Sequence, residues 1–104
     1  MIFKEAYIIQ VPDADRSTHR TVIETETYKL IAVLVKDQNQ ALEESLELVK
    51  NEDVNCIILC AGFSNENVGE ISKAVGESVA VNVVRGDGRS NQIVANCIEK
   101  AGWF

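Results

Sequence analysis

Three segments of the chain, residues 28–35, 54–61 and 79–84, are apolar at nearly every position, and nothing else in the sequence narrows the accessible folds as much. Side chains alternate along an extended chain. In 54–61, therefore, Val54, Cys56, Ile58 and Cys60 point one way while Ile57, Leu59 and Ala61 point the other, and Asn55 is the one polar residue. Runs this short and this rich in Val and Ile read as strands, as does the run at 3–11. A strand that is apolar on both faces needs cover on both sides, which is the mark of a parallel sheet flanked by helices.

Helical patterns fall where crossover connections require them. Residues 38–51 space Leu42, Leu46 and Val49 by four and three, with Ala41, Ser45 and Leu48 alongside. Asp37 caps this helix, and Glu43, Glu44, Glu47 and Glu52 are expected on its solvated face. Ser64 or Asn65 caps a second helix carrying Val68, Ile71 and Val75, which Gly76 ends. Ser90 is the expected cap of a third, with Ile93, Val94, Cys97, Ile98 and Ala101 facing inward and Gly102 as its stop. From Tyr28 onward the order is strand, helix, strand, helix, strand, helix, which right-handed crossovers turn into three neighbouring parallel strands.

The expectation is one α/β domain over residues 1–104, built on a mostly parallel four-stranded open sheet flanked by helices. A half-barrel completed by a second chain is the alternative. A chain of 104 residues has no room for a cofactor domain beside a substrate domain. The connection 11–28 is the least defined part. Pro12-Asp13-Ala14-Asp15 signals a turn, Arg16 to Arg20 fits one helical turn, and 21–27 looks extended, so a loop this long is a candidate lid.

Charge and cysteines bound the partners. Sixteen acidic residues against ten basic ones give a net charge of −6, which argues against nucleic acid and anionic membranes as partners. The longest uncharged apolar runs reach six residues, where a membrane span needs about 20. Cys56, Cys60 and Cys97 are odd in number and no secretory leader is apparent, so a reduced, cytoplasmic protein is expected. On one strand, Cys56 and Cys60 would stand roughly 13 Å apart, beyond the roughly 7 Å reach of a disulfide.

Phosphate-loop, dinucleotide, paired-cysteine and nucleophile-elbow motifs are all absent, so no cofactor is expected. No metal site is expected either, because the single histidine, His19, would have to join thiolates on buried faces. What remains is placement: ligands of open parallel sheets bind where strand carboxyl ends meet helix N-termini. Those ends carry Cys60-Ala61-Gly62-Phe63-Ser64 and Arg85-Gly86-Asp87-Gly88-Arg89-Ser90.

In the second segment Gly86 and Gly88 would let backbone amides approach a phosphate or carboxylate, Arg85 and Arg89 would add bidentate contacts, and Asp87 would face the same rim and oppose an anion. Cys60 is the candidate nucleophile, placed where a helix N-terminus lowers a thiol pKa, and Gly62 is expected to line the site beside it. His19 is the candidate proton-transfer group and Arg20 the anion clamp. Two readings follow: a domain that binds a small anionic metabolite at this rim, with catalysis left open, or a non-catalytic homo-oligomeric assembly module using a sheet edge or the terminal Trp103 and Phe104.

The segment 3–11 followed by Pro12-Asp13-Ala14-Asp15, then His19-Arg20 and Thr25, Leu59-Cys60-Ala61-Gly62-Phe63, and Ala74-Val75-Gly76 resembles a family of small uncharacterised microbial proteins classed as a domain of unknown function. The similarity spans nearly the whole chain. That family more often has Asp-Pro where this chain has Asp15-Arg16, and Cys-Gly-Gly-Phe where it has Cys60-Ala61-Gly62-Phe63. The resemblance implies the α/β fold and supplies no activity.

Overall fold

A computed structural model covering residues 1–104 gives the order β1 (Phe3–Gln10), β2 (Arg20–Glu24), β3 (Tyr28–Val35), α1 (Gln38–Glu52), β4 (Cys56–Leu59), α2 (Asn65–Val75), β5 (Ala80–Val83) and α3 (Gly88–Lys100). The strands form one sheet in the order β2-β3-β1-β4-β5, with β2 antiparallel to β3 and every other pairing parallel. The mostly parallel open sheet expected from the sequence is present, with five strands rather than four. The additional strand comes from the segment read as a candidate lid. Residues 20–24 are exposed throughout, and Thr21-Val22-Ile23 pairs along the free edge of β3 in a hairpin turned by Thr25, whose hydroxyl accepts the N–H of Tyr28 at 3.1 Å.

A second correction concerns neighbours. Strands β3 and β4 do not touch; β1 is inserted between them, in register with both, so the crossover through α1 passes over the first strand. This puts the earliest strand at the centre of the sheet.

Alternation along the strands sorts side chains onto two faces. One face carries Ala6, Ile8, Ile31, Val33, Val35, Ile57 and Leu59, all buried under Ala41 and Leu48 of α1 and Ile71 and Val75 of α2. Phe63, just beyond β4, fills the end of this core. The caps match the sequence: the Asp37 carboxylate accepts the N–H of Gln40 at 2.9 Å, and Ser64 Oγ that of Asn67 at 3.1 Å. Gly76 ends α2 at φ 88°, a backbone region that favours glycine.

Helix α1 departs from its expected face in two places. Leu46 is exposed, whereas Glu44, expected in solvent, is only 2% exposed. Its carboxylate receives Arg20 Nη2 at 2.7 Å and Arg16 Nη1 at 3.4 Å, while Arg16 Nη2 reaches Glu43 at 2.7 Å. Two guanidiniums make burial of this carboxylate tolerable and tie residues 16–20 to α1.

The opposite face of the sheet has no helix on it. Helix α3, whose apolar stripe was expected to face inward, is capped by Asp87 rather than Ser90 and buries no residue; Ile93 and Val94 are 51% and 55% exposed. The strand pattern asked for cover on both sides, and one side receives it. No helix is long and apolar enough to cross a membrane.

Candidate functional site

All four parallel strands end on one edge, and β2 begins there, so the tails converge as the sequence implied. The candidate residues nevertheless spread along that edge into three stations.

At the β2–β3 end, His19 immediately precedes β2 and its carbonyl accepts the N–H of Leu34 at 2.9 Å. Its Nδ1 accepts the N–H of Asp15 at 2.9 Å, which makes the imidazole a brace for its own loop. The hydroxyl and then the amide of Ser17 donate to Asp15 and hold its carboxyl below the usual 3.8. Arg20 is committed to Glu44 and to the carbonyl of Arg16. Beneath this loop lies a polar recess of about 510 Å³ bounded by Pro12–Ser17, Lys36 and Gln40. The Lys36 ammonium makes no salt bridge or hydrogen bond there.

At the centre, Cys60 and Gly62 follow β4 beside the end of β1. The Cys60 thiol lies 3.4 Å from the N–H of Gln10, and a Cβ on Gly62 would stand 3.6 Å from that sulfur. Chain direction diverges here, β1 leading towards β2 and β4 towards α2, which is the switch point where open sheets bind ligands.

At the β5 end, Arg85 donates to the Phe63 carbonyl at 2.9 Å and to Asn65 Oδ1 at 2.7 Å, so its guanidinium fastens the β4–α2 loop. The Asp87 carboxylate accepts the N–H of Ser90 at 2.7 Å and occupies the helix N-terminus that an anion would need. That N–H and the Ser90 hydroxyl hold its carboxyl below 3.8. A Cβ on Gly86 would come within 2.6 Å of Asn91 Oδ1, whereas one on Gly88 would meet nothing within 4 Å. Gly86 therefore serves the turn's own packing. A groove of about 400 Å³ separates this station from the central one, bounded by Gly62, Val84, Gly86, Asn91, Val94 and Ile98.

The structure thus brings Cys60 together with Gly62, and Arg85 with Gly86, Asp87 and Gly88. It does not bring His19 and Arg20 to either group: strand spacings of about 4.8 Å put His19 roughly 14 Å from Cys60 and roughly 19 Å from the Gly86 turn. No three His, Cys, Asp or Glu side chains stand together as metal ligands.

Sequence reasoning missed the Arg16–Glu44–Arg20 lock, although Arg16 and Arg20 sit four apart as Glu43 and Glu44 sit on the following helix. It also missed Tyr28, whose hydroxyl donates to Glu5 at 2.6 Å on the open face and whose pKa that bond pushes up to about 12. Burial, then the neighbouring Glu5, pushes the Cys56 thiol up on the same face.

Fold and edge together define a small α/β domain with a mostly parallel sheet, one covered face and one bare one. The chain belongs to DUF6506, a family of unknown function, which matches residues 3–99. No curated protein matches it.

Proposed function

We propose that this chain is a non-catalytic assembly module that works as a homo-oligomer. One observation carries the reading. The chain exposes 6661 Å², against about 5,800 Å² for a folded monomer of its mass, an excess close to the ~800 Å² that each partner of a standard interface buries. A radius of gyration of 14.0 Å, against roughly 13 Å for a compact domain of this length, agrees with an unfinished outline. Light scattering on the full chain tests it: a mass about twice 11.5 kDa is expected, and a monomer at every concentration removes the reading.

A second reading, binding of a small anionic metabolite at the carboxyl edge, draws on the recess holding Lys36. Lys36 is the cation there without a partner, whereas Arg85 is engaged by Phe63 and Asn65; an anion would enter beside Asp13 and Asp15, the second of which already takes the Ser17 hydroxyl and amide. Inorganic phosphate and citrate should raise the melting temperature of wild type and not of Lys36→Ala; no rise in wild type removes this reading. Three free thiols fit a reducing, cytoplasmic setting for either.

A further inference from the structure

The uncovered sheet face and the uncovered helix belong to the same chain, and each has the shape the other lacks. The face presents Tyr7, Ile9, Leu30, Ala32, Leu34 and Ile58, each half-buried, around Cys56, which is buried there. Its single carboxylate, Glu5, is already engaged by Tyr28. Solvated faces of sheets alternate to polar residues, and this one does not. Helix α3 offers a stripe in which Ile93, Val94, Cys97 and Ala101 are exposed and Ile98 is half-buried beside the groove. Its thirteen residues run about 20 Å, close to the roughly 19 Å width of a five-stranded sheet.

Helix α3 is kept off its own sheet. The link from Val84 to Asp87 is short, and Arg85 pins it to Phe63 and Asn65 on the α2 side, so the helix leaves the domain and stretches the molecule to 41 Å in its longest dimension. The acidic run Glu43, Glu44, Glu47 and Glu52 sits on α1, on the covered side of the sheet and away from the bare face.

Resting on the assembly reading, we infer that a second copy covers the bare face, with α3 of each chain lying across the sheet of the other. The exchange is isologous and closes as a two-fold dimer. It also walls the groove between Gly62 and Val94 with residues of the second copy.

Light scattering on wild type, Val94→Glu and Leu30→Glu, with circular dichroism to confirm folding, separates the outcomes. Wild type at about twice 11.5 kDa with both variants halved in mass supports the exchange. A monomeric wild type overturns the exchange together with the assembly reading. A dimeric wild type whose Val94→Glu or Leu30→Glu variant stays dimeric overturns the exchange and leaves assembly standing. If either variant unfolds, Ala32→Cys under mild oxidation decides: a covalent dimer absent from Ala32→Cys/Cys97→Ser supports the exchange, and its absence from both overturns it.

Discussion

Ile57 and Ile58 are consecutive on β4, yet one is fully buried beneath two helices and the other lies on the bare face. The two sides of the sheet have nearly the same apolar character, and only one has been given a layer by its own chain. Hydrophobic pattern specifies that a surface must be covered; connectivity decides whether the covering element comes from the same molecule. Here α1 and α2 follow their strands back across one face, whereas the short, pinned link into α3 sends the last helix outward.

The contrast is open to direct attack. Ile57→Ala should cost about 2–5 kcal/mol in chemical denaturation, while Ile58→Ala in the monomeric Val94→Glu background should cost about half as much. Equal losses would mean that the bare face is packed within the monomer. The covered layer also has a polar lock. Replacing Arg16 and Arg20 together by Met leaves the Glu44 carboxylate buried and unpaired, with an expected loss of about 3 kcal/mol, read from urea midpoints. Removing the α2 cap by Ser64→Ala should cost about 1 kcal/mol by the same measurement.

The smallest effects concern α3. Asp87 has a depressed carboxyl pKa, so its cap contributes fully above the ordinary 3.8 and is lost as pH falls below it. In thermal melts the gap between wild type and Asp87→Asn should therefore be open at about pH 6 and narrow as acidification carries the pH through the depressed value. Thiol alkylation followed by mass spectrometry should label Cys97 first and Cys56 last in the Val94→Glu monomer, and Cys97 should slow in a dimeric wild type.

Much of the fold was legible because the relevant forces are local. Asp37, Ser64 and Gly76 mark helix ends through hydrogen bonds and backbone angles that need only a few neighbouring residues. Strand β2 was legible only as an extended stretch within 21–27: exposed on both faces, it lacks the alternation that marks a paired strand, and its Thr-Val-Ile core was the one available signal. The insertion of β1 between β3 and β4 depends on partners 25 and 51 residues away, which no local pattern encodes. Site residues were harder still. The glycines and Arg85 of the last turn look like anion ligands in sequence, and only the distances to Phe63, Asn65 and Ser90 show how their polar groups are already used.

The central position of β1 carries a consequence for how the chain acquires its structure. As the polypeptide is synthesised, the strand on which both halves of the sheet rest emerges before either of its neighbours, and it cannot complete its ladders until Leu59 has appeared. Until then the strand must wait with its β4 border unsatisfied even after β3 has paired along the other, a topology that slows folding and invites chaperone capture. Removing β1 should therefore abolish the fold, whereas removing α3 should spare the fold of the single chain and cost only the exchange between copies.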